Sequence, residues 1–128
     1  MPRFTYPDGR WVRLRPMYVL DELAFDDLAS TGDELEAAIA RLPEVKEKLQ
    51  GAETDEQKDA AAADAVEAVT AYQAAYRAQL RVVYERLHDA CEETSWGGEL
   101  GQRITSAELL QLSRLWRAGS EDETLPPV

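Results

Sequence analysis

The period of the apolar positions changes from two to helical within the first twenty residues. Val12 and Leu14 fall on one side of an extended segment and Trp11, Arg13 and Arg15 on the other, the alternation of a half-buried strand. Phe4-Thr5-Tyr6 precedes them, and Pro7-Asp8-Gly9 lies between. Proline presets the first central turn residue, aspartate bonds its own backbone, and glycine accepts a positive φ. A β-hairpin is therefore predicted over 4–15, ended by Pro16, which cannot extend the ladder. Two strands alone are marginal in water, so the hairpin must pack on helices or pair with another chain.

Beyond Pro16 the apolar residues follow helical spacing. Leu20, Leu23, Phe25 and Leu28 predict a helix over about 17–29, stopped by Ser30-Thr31-Gly32. Asp33 then suits an N-cap for a second helix with Leu35, Ile39 and Leu42 as its stripe, which Pro43 should kink or restart through Val45 and Leu49. Thr54 and Gln57 form a capping box for a long helix, because neither Gly nor Pro occurs from Ala52 to Trp96. That helix is expected over about 55–93. Ala60 to Ala63 favour helix but offer little to bury. Val66, Val69, Tyr76, Leu80, Val83, Leu87 and Ala90 then recur at spacings of three and four, with Gln73 in the seam. Packing along neighbouring helices explains this seam, as does self-association. Gly97-Gly98 breaks the pattern, and a second box, Thr105 with Glu108, opens a last helix over about 106–118 carrying Leu109, Leu112, Leu115 and Trp116. The fold class predicted is mostly α: an N-terminal β-hairpin followed by a helical bundle with one long helix. Residues 1–118 read as one domain, and 119–128 as a flexible acidic tail.

Charge sharpens this picture. The 128-residue chain has a formal net charge of -11, unevenly spread. Residues 1–16 hold four arginines against Asp8, residues 17–72 hold fifteen acids against four bases, and residues 73–117 balance. Such a chain repels nucleic acid and anionic membranes, so neither is expected as a partner. The only basic aromatic cluster, the four arginines with Tyr6 and Trp11, is expected to pair with the chain's own acids. One cysteine excludes an internal disulfide. The first twenty residues lack the apolar region of a secretory signal, and no run reaches the ~20 residues that span a bilayer. The expected location is the cytoplasm.

Motifs for chemistry are sparse. Glu85-x-x-His88 has the spacing of di-iron bundles, but those need two such motifs and the chain has one histidine. His88 and Cys91 stand one turn apart, short of the four ligands zinc takes. Acids surround Cys91 and disfavour a thiolate. No nucleophile elbow or phosphate loop occurs. Asp21-Glu22 and Asp26-Asp27 read as the solvated face of a helix. No catalytic, cofactor or metal residue is assigned. The candidate contact residues are Trp96 and Trp116, because large apolar groups near helix ends form cores or interface anchors, with Leu109 and Leu112 of the last helix and Tyr76 and Leu80 of the seam.

The order of parts resembles a family. Tyr-Pro-Asp-Gly-Arg-Trp-Val-Arg-Leu-Arg-Pro (6–16) leads into Val-Leu-Asp-Glu-Leu (19–23), and Ile-Thr-Ser-Ala-Glu-Leu-Leu-Gln-Leu-Ser-Arg-Leu-Trp (104–116) precedes an acidic Leu-Pro-Pro-Val end. This resembles the tail assembly chaperones of long-tailed bacteriophages, best over 4–28 and 94–128. The resemblance implies a non-enzymatic binding protein. Its members coat the tape-measure protein before the tail tube polymerises, keep that helical client soluble, and help recruit tube subunits. Many are made in two lengths by a programmed frameshift. The motifs fix no binding residue. A second expectation is a generic acidic helical module dimerising through 66–90, and a third a metalloprotein using Glu85, His88 and Cys91.

Overall fold

The computed structural model describes residues 2–16, 22–119 and 121–128, with residues 22–25 by backbone only. Its elements are β1 (Arg3–Thr5), β2 (Trp11–Leu14), α1 (Glu22–Gln50), α2 (Asp55–Ala90), β3 (Cys91–Thr94), a short 3-10 turn (Leu100–Gln102), α3 (Ser106–Arg117) and β4 (Glu123–Thr124). The chain is mostly α with an N-terminal hairpin followed by long helices, as the pattern predicts. Where one domain is expected over 1–118, contacts divide the chain into two compact units, Met1–Asp26 with Leu80–Val128, and Asp27–Gln79.

In the first unit the hairpin is the centre of a four-stranded sheet ordered β3-β2-β1-β4. Its turn forms as predicted: the Gly9 N–H donates to the Tyr6 carbonyl at 3.0 Å and Gly9 sits at φ +95°, where a side chain would be strained. Phe4 lies opposite Val12 and Arg3 opposite Arg13. Phe4, Val12, Leu14 and Thr94 are buried, while the alternate residues are more exposed. Arg3 and Arg13, like charges facing each other, are both offset by Trp11, whose ring lies 5.5 Å from each guanidinium. Phe4, Tyr6, Val12, Leu14, Val83, Leu87, Ala90, Leu100, Leu109, Leu112, Trp116 and Leu125 make this unit's apolar core.

Two strands depart from the expected elements. The long helix ends at Ala90 rather than 93, and Cys91–Thr94 pairs antiparallel with β2, placing Glu93 opposite Arg13. Arg13 and Glu93 then bond at 3.1 Å and Arg15 reaches Glu92 at 3.0 Å, so a free strand edge and two arginines draw this segment out of helix. The expected flexible tail is also tied down. Glu123–Thr124 runs parallel to β1, the Leu125 N–H donates to the Thr5 carbonyl at 2.7 Å, and Leu125 is buried. The Arg3 N–H donates to Asp122 at 2.7 Å, and the Gln111 amide to the Pro126 carbonyl at 2.8 Å.

The second unit is the pair α1 (from Asp27) and α2 (to Gln79). The expected break at Ser30-Thr31-Gly32 is absent: α1 runs through it, with the Thr31 hydroxyl turned back to donate to the Asp27 carbonyl at 2.9 Å and Gly32 at a negative φ. Pro43 lies within α1 without ending it; both it and Ile39, whose carbonyl has lost its usual donor, are exposed to water. The apolar side expected for the first helix, Leu20, Leu23 and Phe25, lies outside the described residues or side chains, whereas Leu28 is buried. The capping box at Thr54 forms, with the Gln57 N–H donating to the Thr54 hydroxyl at 3.1 Å and the Thr54 N–H to Gln57 Oε1 at 3.3 Å. Pairs Lys48–Asp64 at 2.6 Å and Arg41–Glu67 at 3.8 Å set α1 and α2 antiparallel. The core is thin: Leu28, Val45, Ala61, Ala68 and Gln79. Ala61, from a run expected to offer little to bury, and Ala68 matter because small side chains let helices approach closely.

A Cβ on Gly32 would meet only the Gln79 side chain, at 3.7 Å. Gly32→Ala is therefore expected to stabilise the fold by about 0.5–1 kcal/mol through helix propensity, read as a raised urea midpoint. Ser113 is buried within α3, and among the described residues its hydroxyl has no partner. Ser113→Ala should stabilise by about 1 kcal/mol by removing an unpaired polar group, in the same titration.

Candidate binding surfaces

The most closely knit polar cluster joins the hairpin turn to α3. Thr105 caps α3 by accepting from the Glu108 N–H at 3.2 Å, while Glu108 Oε1 accepts from the Thr105 N–H at 3.0 Å. The box leaves Glu108 free to take the fork of Arg10, both of whose terminal nitrogens bond it. Arg10 also donates to the Arg103 carbonyl and, from Nε, to Asp8 at 2.6 Å. Its guanidinium lies 4.9 Å from the centre of the Tyr6 ring, and the Tyr6 hydroxyl donates to the Glu108 carbonyl at 3.3 Å.

Burial works against the Glu108 carboxylate, but the hydrogen bonds from Arg10 and Thr105 outweigh it and hold its pKa below the ordinary glutamate value. Burial, and then the charge of Glu108, push the Tyr6 phenol far above its usual range. Bonding to Glu108 raises Arg10 further. An open cleft of about 210 Å³ adjoins the cluster, lined by Tyr6, Pro7, Asp8, Arg10, Glu108, Gln111 and Pro126 to Val128. Its charged groups are bonded to each other, so the arrangement braces the turn.

The expected self-pairing of the basic cluster is what the structure shows: Arg10 meets Asp8 and Glu108, Arg13 meets Glu93, and Arg15 meets Glu92. The expected contact residues are dispersed. Leu109, Leu112 and Trp116 are core, with the Trp116 indole N–H donating to the Arg15 carbonyl at 2.7 Å; as contact groups they are corrected, because a partner could reach them only by opening the unit. Trp96 is half-buried and donates to the Glu99 carbonyl at 2.8 Å. Leu80 is half-buried, as is Tyr76, whose ring lies 6.1 Å from that of Tyr72. The seam expected over 66–90 likewise divides, with Val83, Leu87 and Ala90 buried and Val66 and Val69 exposed.

His88 is exposed, 3.9 Å from Asp89 and beside the Tyr84 ring, while Cys91 begins β3. Burial raises the Cys91 thiol above its ordinary value. Among the described residues no group of three His, Cys, Asp or Glu could hold a metal. No helix among them is long and apolar enough to cross a membrane.

The surface that periodicity alone misses is on α1 and α2. Two residues along a helix turn through about 200°. Ile39 therefore lies on the opposite side of α1 from Arg41, and Val69 on the opposite side of α2 from Glu67. Because Arg41 pairs with Glu67, Ile39 and Val69 share a level on the other edge of the helix pair. Ile39 is 48% exposed and Val69 46%. The ion pairs thus lie along one edge and these two aliphatic side chains on the other. Only the antiparallel register, which comes from folding, brings the two to one level.

No protein-family model matches the chain, and neither a curated protein nor a solved structure matches it.

The depressed pKa of Glu108 gives a sign. Its contribution to stability is full above the ordinary glutamate value and is lost as the pH falls through its lower folded value. Glu108→Gln should cost about 1–2 kcal/mol at neutral pH by weakening charge-assisted bonds, and urea titrations from pH 7 downward should show a shallower acid loss than in the parent chain.

Proposed function

We propose that this protein is a non-enzymatic tail assembly chaperone of the long-tailed phage type, which binds the helical tape-measure protein in the host cytoplasm and assists assembly of the tail tube around it. The observation that carries the reading is the exposed edge of Ile39 and Val69 on a helix pair whose unit holds twelve acidic and five basic side chains. An amphipathic client helix would lay its apolar face on that edge, while the charge around it keeps the assembly dispersed. The order of parts that resembles the family supports it too, with the hairpin first and the Thr105-capped helix near the end.

The test is co-expression with the tape-measure protein encoded in the same genome. The parent chain should raise the soluble fraction of that protein and co-elute with it. A chain carrying Ile39→Glu and Val69→Glu should stay folded by circular dichroism, because both side chains are half-exposed, and should lose most of the co-elution. A genome with no tail or tape-measure genes nearby would overturn the reading, as would unchanged co-elution of the double variant for the edge.

A further inference from the structure

The outer face of α2 carries an independent pattern. Asp59, Ala63, Val66, Thr70, Gln73 and Arg77 are all exposed, and their spacing of four, three, four, three and four places them in one stripe of the kind that pairs helices. Val66, at its middle, is 68% exposed, more than any other large apolar side chain within the described helices. From Ala60 to Tyr76 the helix has only two charged residues, Asp64 and Glu67, and both are bonded to α1 through Lys48 and Arg41. Between its ends the stripe is therefore uncharged, from Ala63 to Gln73 or about three turns, in a chain of which 30% is charged. Its two ends are oppositely charged, and neither Asp59 nor Arg77 makes an ion pair among the described residues.

We propose that this stripe is the contact between two copies of the chain, with α2 lying antiparallel on its own copy about the level of Ala68. An antiparallel two-fold pairing sets each residue against a fixed partner. About that level Asp59 meets Arg77 of the second copy, Ala63 meets Gln73 and Val66 meets Thr70, each twice. The charges match only in this sense. A parallel pairing would stack Asp59 on Asp59 and Arg77 on Arg77. A neutral seam also suits two chains of net charge -11, since contact through an acidic face would add repulsion at close range to that between the whole molecules. A single helix face buries less than the ~800 Å² per partner of standard interfaces, so the dimer is a weak one. The inference does not depend on the client reading, which uses the Ile39–Val69 edge.

Sedimentation velocity on the full chain, from about 5 to 500 µM at ~0.15 M salt, tests it in the concentration range of weak complexes. The parent should pass from monomer to dimer. Arg77→Asp and Asp59→Arg, each placing like charges together, should weaken the dimer at least ~10-fold. The chain carrying both changes should recover the parent's affinity to within roughly threefold, because the pairs are restored with reversed sign. Val66→Asp should leave a monomer with an unchanged helical spectrum. A parent that stays monomeric throughout overturns the proposal. So does a dimer indifferent to these changes, or a double variant that is not rescued. A monomeric parent whose client binding falls with Val66→Asp would assign the stripe to the client instead.

Discussion

The bond between Arg10 and Glu108 holds the first unit in register. Arg10 follows the hairpin turn and Glu108 is the third residue of α3, 98 positions later. The capping box holds Glu108 through bonds within its own helix turn, so Arg10 bonds a carboxylate that its helix also orients. That matters energetically, because a partly buried ion pair is favourable only when its geometry is preset and its other bonds are satisfied. Tyr6 completes the arrangement by packing its ring under the guanidinium and donating to the Glu108 carbonyl. Arg13 and Arg15 then find Glu93 and Glu92 on the neighbouring strand, and the Arg3 guanidinium lies against the Trp11 ring. The basic head is thus spent on the fold of the unit that contains it.

The second unit has a different physical character. It rests on few buried side chains, two of them alanines, and on ion pairs along one edge of the seam. Exposed aliphatic side chains remain on its surface. A helix pair of this kind gains more from a partner than a closed core would, because some of its apolar groups stay about half open to water.

What the sequence reveals of this structure is what is decided locally. The turn at Pro7-Asp8-Gly9 and the boxes at Thr54 and Thr105 form as their residues require, since each is satisfied within four positions. The strands β3 and β4 are invisible locally, because the donor edges that recruit them lie about 80 and 120 residues away. Ser30-Thr31-Gly32 misleads in part for the same reason: Thr31 also meets Gln79, 48 residues on, which a turn signal does not contain. The seam shows the limit of periodicity most plainly. Val66 and Leu87 satisfy the same spacing, yet one is exposed and the other fully buried. Spacing identifies a face of a helix, and only the neighbours decide whether it is covered.

The placement of the aromatic side chains has a spectroscopic consequence. Trp11, Trp96 and Trp116 are the three tryptophans of the chain, and all belong to the unit built on the sheet. Trp116 is enclosed, and the Trp11 ring lies 5.5 Å from each of two guanidinium groups. Indole emission is therefore a local reporter, silent about residues 27–79, whereas the far-ultraviolet signal is weighted towards the helix pair those residues form. The two signals divide the molecule along the same line as its contacts. Coincident or separate transitions would show whether the continuous helix α2 makes the two units melt as one.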